Sequence, residues 1–82
     1  MRVRVLYFAA VRELLGREED DLVLPLDVKT VGQFAAWLES FSPELAGRMT
    51  SIRIARNEVF AGDEDQLADG DVLALIPPVA GG

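Results

Sequence analysis

The chain has no cysteine and no histidine. Without cysteine there is no disulfide framework, no thiolate zinc site, no iron–sulfur cluster and no catalytic thiol. Without histidine, the commonest metal ligand and the usual near-neutral general base are missing too. Basic residues are scarce: 8 lysines and arginines stand against 14 acidic residues, a formal net charge of -6. A phosphate backbone or an anionic bilayer would be repelled, so neither nucleic acid nor membrane is an expected partner. No apolar run approaches the length of a membrane span. The start, Met1-Arg2-Val3-Arg4, has no signal-peptide core, so a cytoplasmic location is expected. At 82 residues there is room for one core of two packed layers. Half of the residues are hydrophobic, enough to fold around such a core.

Val3, Val5 and Tyr7 alternate with Arg2, Arg4, Leu6 and Phe8, which predicts a first strand with two unlike faces. Val11, Leu14 and Leu15 follow at helical spacing, and Gly16 suits the left-handed position that ends a helix. The acidic run Glu18-Glu19-Asp20-Asp21 reads as a solvated loop, because blocks of like charge stay in water. Leu22 to Leu26 reads as a second strand, placed at an edge by Pro25. Thr30 and Gln33 have capping-box spacing, and Val31, Phe34, Ala35, Leu38 and Phe41 form the apolar stripe of the main helix, with Trp37 at its rim. Ser42-Pro43 ends that helix and caps a short turn from Glu44. Ser51 to Arg56 alternates again, Asn57-Glu58 is a tight turn, and Val59-Phe60 begin the return strand. Asp69-Gly70-Asp71 is a turn. Val72 to Ile76 is a continuous apolar strand, patterned for a central position covered on both faces. The order predicts an α+β domain over residues 1–76: a mixed sheet of about four to five strands, one main helix and short helical turns. Residues 77–82 form an extended tail.

The sequence offers little for self-contained chemistry. An EF-hand frame starting at Asp63 puts Ala68 where glycine is required and Ala74 where a bidentate glutamate is required, so calcium is rejected and no metal site is expected. There is no phosphate-binding glycine loop, and no serine lies in a nucleophile elbow. The candidate is the C-terminus. Pro77 and Pro78 hold an extended φ and cannot continue a ladder, so they launch the tail off the last strand. Val79 and Ala80 are small, and Gly81 and Gly82 have no side chains. Such a tail threads a narrow channel and presents a bare carboxylate. A carboxylate can attack the α-phosphate of ATP to form an acyl adenylate, which then accepts a sulfur or amine nucleophile.

With these residues in place, the chain resembles the small subunits of molybdopterin synthase, the ubiquitin-like MoaD-type sulfur carriers. Val5-Leu6-Tyr7-Phe8-Ala9 with Arg12-Glu13 and Gly16 carries the resemblance at one end. At the other it rests on the run from Leu67 through Asp69-Gly70-Asp71 and Pro77-Pro78-Val79-Ala80 to Gly81-Gly82, and Asn57 also matches. The resemblance implies the ubiquitin-like β-grasp fold. It implies that an E1-like adenylating enzyme uses ATP to activate Gly82, and that sulfur from a persulfide converts Gly82 to a thiocarboxylate. The tail then enters the large synthase subunit and donates sulfur to cyclic pyranopterin monophosphate in molybdenum cofactor biosynthesis. The chain itself is a sulfur donor that binds no cofactor, and the catalytic side chains belong to the large subunit.

In that fold the first and last strands lie side by side. Phe8, Phe60 and Ile76 are therefore expected to form an apolar patch at the tail's root that docks both protein partners. Three other readings differ in class. A thiamine-pathway sulfur carrier shares the fold and the Gly-Gly end but is usually shorter and lacks the Pro-Pro-Val approach. A ubiquitin-like modifier would be conjugated to lysines. An interaction module would have an inert tail.

Overall fold

The alternation of the first strand, β1 (Arg2–Tyr7), sends Val3, Val5 and Tyr7 into the interior and leaves Arg2 and Arg4 outside. The computed structural model describes residues 1–78. The chain continues through α1 (Ala9–Leu15), β2 (Glu19–Val23), α2 (Val31–Phe41), two 3-10 turns (Pro43–Leu45 and Met49–Ser51), β3 (Arg53–Arg56), β4 (Val59–Phe60) and β5 (Val72–Ile76). The five strands lie in the order β2-β1-β5-β3-β4. β1 is antiparallel to β2 and parallel to β5, and β3 is antiparallel to both β4 and β5. Val3, Val5, Tyr7, Leu73 and Leu75 from the inner face of the sheet share one core with Val31, Phe34 and Leu38 of α2.

Local chemistry accounts for the boundaries. Gly16 ends α1 at φ 72°, its N–H donating to the Arg12 carbonyl. Thr30 Oγ1 accepts from the Gln33 N–H while Gln33 Oε1 accepts from the Thr30 N–H, each at 3.2 Å, closing the expected capping box. Asn57 and Glu58 have φ of 51° and 72°, the doubly left-handed pair that a two-residue hairpin needs.

Five expectations need correction. The acidic run is not a solvated loop: Glu19, Asp20 and Asp21 pair with Leu6, Val5 and Arg4 as the edge strand β2, which ends before Pro25. Alternation divides its charge between the two faces. Asp21 and Glu19 lie 3.1 and 3.4 Å from Arg4 Nε, while Asp20 accepts from the Tyr7 hydroxyl at 2.8 Å and from Arg17 Nε at 2.7 Å. Phe41 is 50% exposed, because at the end of α2 its ring stacks on Trp37 at 4.9 Å and not on the sheet. Leu14 is also exposed, since only Val11 and Leu15 of α1 reach the core. The turn after α2 begins at Pro43, with no cap from the Ser42 side chain, and a 3-10 turn occupies Met49–Ser51, so β3 starts at Arg53. Finally, β5 is sealed on one face only. Leu73 and Leu75 are fully buried, but the helices leave Val72, Ala74 and Ile76 half-buried on the outer face.

Candidate functional site

The tail's root is built by β5. The strand ends at Ile76, and Pro77 and Pro78 follow it without a ladder partner. Of the expected tail positions, Val79, Ala80, Gly81 and Gly82 lie outside the described residues.

The sheet register places the residues of the expected patch. Leu6 faces Ala74 across β1 and β5, Ala74 faces Ala55 across β5 and β3, and Ala55 faces Phe60 across β3 and β4. Residues directly opposite share a face, so this row runs over the outer face of the sheet. Its floor is two alanines, and Leu6 and Phe60 stand as walls. One row nearer the tail, Ile76 faces Arg53. Phe8 follows Tyr7 with an extended backbone, φ -121° and ψ 151°, which carries the β1 alternation one residue further onto the outer face. The chain then turns at Ala9, which has a positive φ of 48°. Phe8 is 43% and Phe60 51% exposed, and Ile76 is half-buried. All three therefore lie on one face and are open to solvent.

Two features of the site were not anticipated. The first is Arg53, whose guanidinium lies over the Phe60 ring at 3.7 Å from the centroid. Only register exposes it: pairing Ala55 with Phe60 puts Arg53 on the same face, diagonal to the ring. The second is a groove of about 670 Å³ beneath the root, between α1 and the 3-10 turns, lined by Leu14, Leu45, Arg48, Ile52, Pro77 and Pro78 among others.

The opposite end of β5 is pinned. Asp71 is 5% exposed and accepts from Arg56 Nε at 2.6 Å, Asn57 Nδ2 at 2.9 Å and the Ala68 N–H at 2.8 Å. Asn57 also brackets Val72, accepting from its N–H through Oδ1 and donating its own N–H to the Val72 carbonyl. Burial pushes the Asp71 carboxyl upward, but the Arg56, Ala68 and Asn57 hydrogen bonds together outweigh it and hold it below the usual carboxylate range. On the other side of the core, burial and the hydrogen bond to Asp20 raise the Tyr7 hydroxyl well above the ordinary tyrosine value, so it stays a neutral donor. Among the described residues no group of three or more acidic side chains is placed to hold a metal ion, and no helix is long and apolar enough to cross a membrane.

This arrangement can present an apolar face and a chain end to another protein. Comparison with known proteins gives a consistent result. The ThiS family profile matches residues 5–82. The molybdopterin synthase sulfur carrier subunit of Mycobacterium tuberculosis is 35% identical over 82 residues, covering 100% of this chain and 99% of that one. Among solved structures, SAMP1 of Haloferax volcanii, a small archaeal modifier protein, is similar end to end, with 30% identity, full coverage of both chains and a TM-score of 0.85. A complex of subunits 1 and 2 of the molybdopterin-converting factor from Helicobacter pylori contains a chain 26% identical to this one, fully covered both ways, with a TM-score of 0.73. A ubiquitin from Caldiarchaeum subterraneum, at 17% identity and a TM-score of 0.65, shares the fold, which is the ubiquitin-like β-grasp.

Proposed function

Because the chain belongs to the ThiS family, we propose that it is the sulfur-carrier subunit of a molybdopterin synthase. The observation that carries this reading is the end-to-end match, at 35% identity, to a subunit of that name. The site geometry supports it: an apolar face of Phe8, Phe60 and Ile76 at the root of the tail.

The chemistry then takes place at the chain end. A carboxylate oxygen of Gly82 attacks the α-phosphorus of ATP on an E1-like adenylating enzyme, and pyrophosphate leaves. The outer sulfur of a persulfide next attacks the acyl carbon and AMP leaves, giving an acyl disulfide; a second thiol cleaves its S–S bond, leaving the terminal thiocarboxylate and a disulfide. Glycine at 81 and 82 keeps bulk away from that carbonyl in both displacements. The tail, residues 77–82, enters the large synthase subunit. There the sulfur passes to cyclic pyranopterin monophosphate under the partner's side chains. Pro77 and Pro78 restrict the entropy the tail loses on insertion, since their φ is already set. Phe8, Phe60 and Ile76 form the docking face, and Val79 and Ala80 line the threaded segment. The chain binds no cofactor of its own, the ATP is consumed by the activating enzyme, and the cytoplasm is where it works.

Intact-mass analysis after co-expression with an activating enzyme and a sulfur source tests the reading. Exchange of oxygen for sulfur adds about 16 Da, nominally the same as methionine oxidation, so accurate mass or thiol-selective alkylation is required. Absence of a thiol-reactive C-terminus under those conditions would sink it. The likeness to the archaeal modifier, at a TM-score of 0.85, favours a second reading in which the same activated Gly82 is joined to lysines of other proteins. Covalent adducts of the tagged chain in a lysate, absent when Gly82 is deleted, would support that role.

A further inference from the structure

We propose that Arg53 is a specificity-determining residue of the docking face: it steadies the Phe60 ring and offers its outward N–H edge to a carboxylate of the large synthase subunit. The inference rests on the sulfur-carrier reading and adds to it the chemistry by which the partner is chosen.

Three observations carry it. First, the guanidinium carbon lies over the Phe60 ring, 3.7 Å from its centroid. A stacked guanidinium has one face on the ring and its five N–H donors around the rim, free to bond in plane. Second, among the described residues no carboxylate is within ion-pair distance of Arg53; Arg2, Arg12 and Arg48 share that, but of these only Arg53 is held over an aromatic ring. In a chain with 14 acidic and 8 basic residues, an exposed arginine held by an aromatic ring and by no acid has donors to spare for another protein. Third, Arg53 faces Ile76 across β3 and β5. Ile76 immediately precedes Pro77-Pro78, so Arg53 lies beside the root of the tail. The outer face there is otherwise apolar: Leu6, Phe8, Ala55, Ala74, Phe60 and Ile76. A single cation at the edge of an apolar patch fixes register and rejects surfaces lacking the matching acid, more than it adds raw affinity.

The full chain is titrated with the purified large subunit at low and high salt, as wild type, Arg53→Gln and Arg53→Lys, with thermal melts in parallel. Arg53→Gln should bind about tenfold more weakly at low salt, and its affinity should fall less steeply with salt than that of the wild type. Arg53→Lys should regain the salt dependence while remaining weaker, because an ammonium is a point charge without the planar fork. All three melts should coincide, since the side chain is exposed. The inference is overturned if Arg53→Gln binds like the wild type with the same salt dependence. It is also overturned if Arg53→Gln loses thermal stability along with affinity, which would make Arg53 a packing residue. Failure of the wild type itself to bind the large subunit would remove the sulfur-carrier reading, and this inference with it, and is distinct from both.

Discussion

Asp71→Ala removes the acceptor that pins the start of β5, and its cost can be worked from the hydrogen bonds. Two donors, the Ala68 N–H and the Asn57 amide, lose a charged acceptor, at about 1.5 kcal/mol each for bonds to an ionised group. The Arg56 side chain is one-third exposed and can return to water, so its ion pair is discounted to below about 1 kcal/mol. The sum is about 3–4 kcal/mol, a large part of the stability of a domain this size. It should lower the melting temperature by roughly 12–32 °C, at about 4–8 °C per kcal/mol for a short chain. The effect should also depend on pH. The folded Asp71 pKa is depressed below an unfolded value of about 3.9. Its contribution is therefore fully present above the unfolded pKa and is lost as pH falls through the folded one. Urea melts of wild type and variant at neutral pH and at about pH 3 should show a wide gap that narrows on acidification. A neutral-pH gap below about 1 kcal/mol, or one that widens in acid, would refute the argument.

Phe8→Ala should weaken binding of the large subunit while costing far less than the ~3–5 kcal/mol of a core phenylalanine, since Phe8 is 43% exposed; a denaturation curve showing a loss of about 3 kcal/mol or more would place it in the core. Deleting Gly82 moves the terminal carboxylate back by ~3.4 Å and should abolish molybdopterin formation in a reconstituted assay with the melt unchanged; synthesis near the wild-type rate would exclude that carboxylate as the sulfur-bearing group. Gly32→Ala should destabilise the fold although alanine is the better helix former, because the new Cβ would lie 3.0 Å from the Asp63 Cβ and 3.2 Å from its carbonyl oxygen; a melting temperature above that of the wild type would show that the Asp63 loop yields.

What could be read from the sequence was what depends on near neighbours. The alternation of Val3, Val5 and Tyr7, the Thr30–Gln33 capping box and the tight turn at Asn57-Glu58 are short-range devices, and each occurs where its chemistry requires. The misreading of the acidic run came from partners distant in sequence. The acidic run looks like a loop until Arg4, 17 residues before Asp21, is seen to neutralise it across the ladder. Helical spacing alone put Phe41 on the apolar stripe but could not say that the last turn of α2 stacks on its own Trp37. The docking face shows the same division. Phe8, Phe60 and Ile76 are visible as exposed apolar candidates from strand parity. The Arg53–Phe60 stack needs the register of a hairpin whose residues lie two rows apart.

The two ends of β5 separate stability from reactivity. At its start, Asp71, Asn57 and Arg56 form a satisfied polar node that ties β5 to the β3–β4 hairpin, and the Arg4 N–H donates to the Asp71 carbonyl to tie in β1 as well. Leu73 and Leu75 then lock the middle of the strand into the core. At its end, Ile76 is only half-buried, and the prolines that follow have no N–H to donate to a ladder. On the proposed function, a chain end that is adenylated, thiolated and threaded into another protein must change covalently without disturbing the fold. Among the described residues, the polar node and the buried leucines that restrain the strand lie upstream of Ile76, which fits that requirement. The proposed function also accounts for sulfur transfer by a chain without histidine or cysteine: the acyl carbon would be its own, and the groups that activate and attack that carbon would belong to its partners.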